Sequence, residues 1–276
     1  TTEIYPLSLH DALPISLQMN SGDVMDENLA VADGLIGQAV EFGAELVVLP
    51  ENFSLMTGDH EVRLVAAQRG QEVRRFLSEL AKKHCISLVG GSIPLASTEG
   101  KVTNSCLMYG ADGEFLARYD KIHLFDVDVG RGESYQESAR TTAGSQPVLV
   151  PLHNTQVGLT ICYDMRFPEL FRTLSERGAE VFTVPSAFTV PTGQAHWHVL
   201  LRCRAIENLA WIIAPAQAGC HPGGRETFGH SLIIDPWGEV VAEQTEPTTQ
   251  VVLADIDLQS VRDKRRRFPV LTHRRL

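Results

Sequence analysis

Residues 156–187 (QVGLTICYDMRFPELFRTLSERGAEVFTVPSA) leave this chain the least freedom in how it folds. The run Val157-Gly158-Leu159-Thr160-Ile161 is short, apolar and partly β-branched, the make-up of a buried strand. Behind Pro168, a residue suited to the first turn of a helix, Leu170, Phe171 and Leu174 recur at helical spacing. Arg177-Gly178-Ala179 closes that helix, and residues 181–184 read as a second buried strand. The result is a strand–loop–helix–strand unit of an open α/β sheet. Cys162 stands at the carboxyl end of its first strand, where such sheets bind ligands. A thiol there, close to a helix N-terminus, is expected to favour the thiolate. A free cysteine is equally at home as a small buried side chain, and this unit alone leaves both readings open.

The 276 residues suit one large α/β domain, since no linker, repeat, low-complexity tract or change of composition divides them. A net charge of −10 argues against non-specific nucleic-acid binding, and the basic segments KRRR at 264–267 and HRR at 273–275 do not reverse it. No apolar run has the length of a membrane span. The cysteines at 85, 106, 162, 203 and 220 show no CxxC and no metal-ligand spacing, and an odd count fits a reducing, cytoplasmic setting. His196 and His198 would diverge by about 200° on a helix, so neither a metal site nor a cofactor is expected. The glycine-rich segment 219–224 follows no phosphate-loop pattern and reads as a mobile loop at a pocket mouth.

Residues 1–16 (TTEIYPLSLHDALPIS) resemble the in-frame translation of a common sequencing-library adapter, with Pro6 the single departure. They are therefore set outside the fold, which is taken as one domain over 17–276. Leu17-Gln18-Met19 then looks like the end of a strand whose beginning is lost. Pro14, lacking an N–H, is expected to fit poorly in a central strand.

Further along, Asp26 or Asn28 could cap a helix running to Phe42, with Leu29, Ala32, Ile36 and Val40 as its apolar stripe. Residues 45–49 and 86–90 read as strands and 72–83 as a helix. Segments 103–109 and 114–119 flank a hairpin turn, and 148–150 pairs with 156–161. A helix over 196–209 is expected to bury Val199, Leu200, Cys203 and Ile206. Strands at 211–215, 231–235, 240–243 and 251–256 complete the pattern. Helices and strands alternate early and hairpins intrude later, which suggests two packed sheets with helices on both outer faces.

Three groups stand at strand ends: Glu51 after AELVVLP, Lys121 after FLARYD and Cys162 after VGLTI. Taken singly, Glu51 and Lys121 read as solvated loop residues. Together they describe a reaction. A carboxylate can take a thiol proton and later activate water, a thiolate can attack a carbonyl or nitrile carbon, and an ammonium with a backbone N–H such as that of Tyr163 can stabilise the oxyanion.

With LVVLPEN, YDKIHLFDVDV and GLTICYDMRFPEL in this order, the chain resembles the nitrilase superfamily of carbon–nitrogen hydrolases from about Leu17 onward. The resemblance implies a four-layer α/β/β/α sandwich and a homodimer or larger homo-oligomer built through the sheet-flanking helices. It implies Glu51 as general base, Lys121 as stabiliser of the tetrahedral intermediate, Cys162 as the thioester-forming nucleophile and Glu137, in SYQES, as a carboxylate that positions them. Taken alone, Glu137 could be a surface-loop acid. HLFDVDV, PSAF and the HW–LLR–RAIEN helix are similar to the branch of deaminated-glutathione amidases and omega-amidases. That branch implies a small-molecule amide substrate: deaminated glutathione first, 2-oxoglutaramate as the alternative. A non-catalytic binding protein of the same fold is the second alternative. Arg166 would pair with a substrate carboxylate, and Phe188 and Thr192 would line the pocket. Each has a plainer alternative, in a neighbouring acid, the core and a loop respectively.

Overall fold

Side-chain alternation along the strands decides how the layers stack. The computed structural model describes residues 14–98, 100–130 and 133–275. In chain order it runs β1 (Pro14–Gln18), α1 (Met25–Glu41), β2 (Leu46–Val48), α2 (His60–Gln68), α3 (Gly70–His84), β3 (Ser87–Val89), β4 (Ile93–Ala96), β5 (Val102–Tyr109) and β6 (Phe115–Asp120). A hairpin of β7 (Asp126–Gly130) and β8 (Glu133–Gln136) leads to β9 (Val148–Leu152), β10 (Thr155–Leu159), α4 (Pro168–Glu176), β11 (Val181–Thr183), α5 (Val190–Asn208) and β12 (Trp211–Ala214). Then come β13 (Ala218–Cys220), β14 (Glu226–Phe228), β15 (Leu232–Ile234), β16 (Val240–Glu243), β17 (Gln250–Leu253) and α6 (Leu258–Arg267).

One sheet has the order β17-β1-β2-β3-β5-β4, with β6 also paired to β5, and the other the order β16-β15-β12-β11-β10-β9. The central strands β1, β2 and β3 are parallel, as are β10, β11 and β12. Val47, Leu49, Leu88 and Leu107 turn one way, into a cluster with Leu29 and Ile36 of α1 and Val73 and Leu77 of α3. Their neighbours Leu46, Val48, Val89, Cys106 and Met108 turn the other way, against Val157, Leu159 and Val181 of the second sheet. Leu170 and Phe171 of α4, with Trp197 and Leu201 of α5, cover the far face of that sheet. This is the expected α/β/β/α sandwich. Each fully buried Leu or Phe contributes about 1.5–3 kcal/mol, so apolar burial holds the layers together.

Four expectations need correction. Residues 14–16 belong to the fold: Pro14 pairs beside Leu46, Ile15 beside Val47 and Ser16 beside Val48. Pro14 opens the strand, the one strand position where a missing N–H is readily tolerated. The rest of the set-aside segment, 1–13, lies outside the described residues. Helix α1 is not capped by Asp26 or Asn28. Val24 holds the cap position, and the buried Asn28 side chain bonds Gly22 and the carbonyl of Ser54. Helix α2 was not foreseen; Asp59 caps it by accepting from the backbone of Glu61 and Val62.

The fourth correction concerns α5, which starts at Val190 and buries a different face. Trp197, Leu201, Arg204, Ala205 and Asn208 point inward, while Val199 (68% exposed), Cys203 and Ile206 (46%) face out and Leu200 is half-buried. Polar groups can take the inward face because they are paired. Arg204 donates to Met165 O at 2.8 Å and to Glu207 at 2.6 Å, and Asn208 accepts from Ser175 at 2.9 Å.

Candidate active site

The two sheets end at one cavity. Glu51 follows β2 and Pro50. The neighbouring Gly91 is in the left-handed region, and a Cβ there would lie 2.1 Å from Pro50 O, so only glycine lets the chain pass this strand end. Lys121 follows β6, and its N–H donates to Asn104 O at 2.9 Å. Cys162 follows β10 after Thr160-Ile161, with φ +48°, a conformation non-glycine residues rarely take. Its N–H donates to Pro185 O at 2.9 Å, and the N–H of Ile161 to Asp164 Oδ2 at 2.8 Å. These bonds hold the turn that presents Sγ.

Four predicted residues come together. Lys121 Nζ bridges Glu51 Oε1 and Glu137 Oε2, each at 2.9 Å. Asn104 Nδ2 donates to Glu51 Oε1 at 2.9 Å and to Glu137 Oε1 at 3.4 Å, and the N–H of Phe125 donates to Glu137 Oε2 at 2.8 Å. Cys162 lines the same cavity, close enough to feel the charges of Glu51 and Lys121. Burial alone would lower the Lys121 pKa, but the charges of Glu137 and Glu51 outweigh it and hold the ammonium charged. Burial would raise that of Glu137, yet Lys121, the Phe125 N–H and Arg63 keep it below the usual range.

The thiol departs from expectation. Burial, then the nearby Glu51 charge, push Cys162 well above the ordinary cysteine range, and Lys121 only partly offsets them. Cys162 opens only a short 3₁₀ turn (Cys162–Arg166), α4 begins at Pro168, six residues on, and helix-terminus effects fade within a turn. The resting group is therefore a neutral thiol near a carboxylate.

Sequence reasoning missed the groups that hold this arrangement. Asp164 is fully buried. It accepts from Tyr119 Oη at 2.7 Å, from the N–H of Ile161, and from His123 through both its N–H (3.1 Å) and Nδ1 (2.7 Å). It thus ties the Cys162 turn to the loop after Lys121, where His123 stacks on Phe167 with centroids 3.6 Å apart. Asn104 links the two glutamates. A polar residue in the middle of the buried strand VTNSCLMY was the available signal.

The cavity, about 460 Å³, is lined by Glu51, Lys121, Glu137 and Cys162, and also by Tyr163, Phe188 and Thr192. Phe188 also packs on Trp197 with centroids 5.0 Å apart, so it serves core and cavity alike. Thr192 hydrogen-bonds Thr189 Oγ1 at 2.8 Å. Arg166 lies outside this lining, in an adjacent hollow that shares Phe125, Tyr163 and Thr192 with the cavity. Its guanidinium donates to His196 Nδ1 at 3.3 and 3.4 Å and lies over the Tyr163 and Phe188 rings. The basic groups lining the main cavity beside Lys121 are instead Arg63, Arg140, His221 and Arg225, and His221 to Gly223 form part of its wall.

Among the described residues one group could hold a metal ion, His198, His230 and Glu243, with ligand atoms within 4.8 Å of one another. Glu243 Oε1 already accepts from both histidines, at 2.7 and 2.6 Å. As expected, His196 and His198 diverge, one to Arg166 and the other to Glu243.

A buried carboxylate, ammonium and thiol lining one cavity can carry out acyl transfer from an amide. Comparison with known proteins agrees. The family described as carbon–nitrogen hydrolase matches residues 16–266. A protein of Synechocystis named deaminated glutathione amidase is 44% identical over 95% of this chain and 97% of its own length. Omega-amidase NIT2 of Bos taurus is 37% identical over 94% of this chain and 93% of its own length. The crystal structure of the Caenorhabditis elegans NitFhit protein superposes with a TM-score of 0.90 at 37% identity, covering 96% of this chain and 65% of that one. A pocket holding a carboxylate, an ammonium and a thiol at the ends of two stacked sheets, together with these matches, places the chain in the carbon–nitrogen hydrolase family, the nitrilase superfamily.

Proposed function

We propose that this enzyme hydrolyses the distal amide of a 2-oxoglutaramate moiety, with deaminated glutathione preferred over free 2-oxoglutaramate. The observation that carries the proposal is the shared cavity: a neutral thiol near Glu51, a lysine clamped between two glutamates, and a basic wall suited to a carboxylated substrate. The greater identity to the relative named for deaminated glutathione supports the order of preference.

Glu51 takes the Cys162 proton as Sγ attacks the amide carbon. Lys121 and the Tyr163 N–H stabilise the oxyanion, with Lys121 held in place by Glu137. Glu51 then gives its proton to the departing amine, leaving a thioester on Cys162. Water, deprotonated by Glu51, attacks the thioester, and the proton returns to the thiol as the acid leaves. Arg166 recognises the terminal carboxylate of the cysteinylglycine leaving group from the adjacent hollow.

The ratio of kcat/KM for the two substrates tests this, in the native enzyme and in Arg166→Lys. The native ratio should favour deaminated glutathione, and loss of the planar fork should lower activity on it by about tenfold while sparing 2-oxoglutaramate. A native ratio favouring 2-oxoglutaramate moves the assignment to an omega-amidase. Equal losses on both would remove Arg166 from leaving-group recognition.

We also propose a homodimer or larger assembly in a reducing cytosol. The outward apolar face of α5, continuing through Trp237 (60% exposed) and Phe268 (52%), supports the first, and five free cysteines, three of them exposed, support the second. Among the described residues no helix is long and apolar enough to cross a membrane. Light scattering of the native protein and of Val199→Glu checks the assembly, which should dissociate in the variant.

A further inference from the structure

Arg63 is one of the basic groups of the cavity wall that take no direct part in the proton and acyl transfers. Arg63, on α2, lines the cavity, and its Nε and Nη2 are buried without a hydrogen-bond partner. Arg225 lies near enough for the two charges to act on each other. Arg225 Nη2 donates to Ala187 O at 2.7 Å and its guanidinium lies over the Tyr135 ring, but its Nε is also buried and unpartnered. Burial lowers the Arg63 pKa, with Glu137 and Glu51 opposing and Arg225 and Arg140 reinforcing the effect. Buried donors left open are unfavourable until an acceptor fills them.

The open atoms carry the shape of that acceptor. Nε and Nη2 form one edge of a guanidinium, with two N–H groups that fit the two oxygens of a carboxylate. The same edge is used elsewhere in this protein. Arg69 donates from Nε and Nη2 to the two oxygens of Glu72 at 2.9 and 2.6 Å, and Arg262 does so to Glu180 at 3.0 and 3.1 Å. In Arg63 that edge is buried in the cavity wall and unmatched.

We infer that Arg63, supported by Arg225, is the specificity-determining subsite for the carboxylate of the oxo-acid half common to deaminated glutathione and 2-oxoglutaramate. The inference rests on the amidase function proposed above. After the first step the acyl half stays on Cys162 while the amine departs, so its anchor belongs in the cavity that holds Cys162. Arg63 meets that condition, whereas Arg166 stands in the neighbouring hollow.

The experiment compares Arg63→Gln with the native enzyme on 2-oxoglutaramate, deaminated glutathione and the uncharged pentanamide. KM for both carboxylated amides should rise by about tenfold or more, in equal proportion, while kcat/KM for pentanamide falls by much less. Arg63→Lys, which keeps the charge, should fall between the two. Binding of 2-oxoglutarate to Cys162→Ala, followed by calorimetry, should weaken by a similar factor when Arg63→Gln is added, with thermal melts checking that each variant is folded. Equal loss on the charged and uncharged amides would overturn the inference, because Arg63 would then only balance Glu51 and Glu137. Loss on deaminated glutathione alone would overturn it too, by moving Arg63 to the leaving group. If the native enzyme turns over neither carboxylated amide, the amidase proposal fails, and the calorimetric comparison still decides whether Arg63 binds the carboxylate.

Discussion

The two sheets meet at the cavity and bring different things to it. From the first come charges: Glu51, Lys121 and the Asn104 side chain, joined to Glu137 by contacts of 2.9 to 3.4 Å. From the second come a strained turn and an apolar wall: Cys162 at φ +48° and Phe188 packed on Trp197. A buried charge is costly unless its partners are in place, so Lys121 and the two glutamates must be bonded to one another before substrate arrives. The second side has only to aim a neutral sulfur atom. The difference teaches that electrostatics are prepared on one sheet and geometry on the other, with Asp164 tying them together through Tyr119 and His123.

The sharpest break removes the second side's single reactive atom. Cys162→Ala should abolish turnover and Cys162→Ser should nearly do so, because a hydroxyl is far harder to ionise. Alanine at Cys85, Cys106 or Cys203 should leave turnover intact. Amidase assays on purified variants decide this, and activity in Cys162→Ala would end the thioester mechanism.

Removing a charge from the first side comes next. Glu51→Gln should lower kcat by about 10²–10⁴-fold. The same change should make Cys162 more reactive to iodoacetamide, since the Glu51 charge helps hold the thiol proton. In the native enzyme, alkylation of Cys162 should show no titration near the free-cysteine value of about 8.5, the raised pKa keeping the thiol neutral there. Mass mapping of the modified peptide across pH 6–10 reads both effects. A native step near pH 8.5, or slower labelling in Glu51→Gln, would contradict the division between the sheets.

A smaller effect probes the tie between them. Asp164→Asn replaces one acceptor of a fully buried hub with a donor. It should cost about 1–3 kcal/mol of stability, seen as a lower Tm, and reduce kcat more than it raises KM. An unchanged Tm with full activity would mean that the two sides hold their alignment without it.

Much of this was legible in the sequence. The β10–α4–β11 unit, the hairpins and the strand-end positions of Glu51, Lys121 and Cys162 follow from short-range periodicity, which local backbone sterics and burial enforce. The boundary at residue 17 was drawn from the oddness of the preceding segment, and the pairing of Pro14–Ser16 with β2 shows why composition cannot settle strand membership. Neighbouring strands accept any short stretch that fills their edge and packs its face. The inward face of α5 was misread for a related reason: that helix is apolar on more than one side, and partners for Arg204 and Asn208 from distant residues decide which side turns in.

By itself, then, the sequence determined the layer pattern, the family and the strand ends that carry Glu51, Lys121 and Cys162, because each depends on neighbours in the chain. Only the tertiary structure decided that Asn104, Asp164 and Arg63 matter, that Arg166 stands outside the main cavity, and that Cys162 rests as a neutral thiol. Those properties arise from desolvation and from partners far away in the chain. Glu51 and Lys121 are separated by 70 positions yet lie 2.9 Å apart, and no local pattern encodes a contact made by gathering distant strands into one sheet.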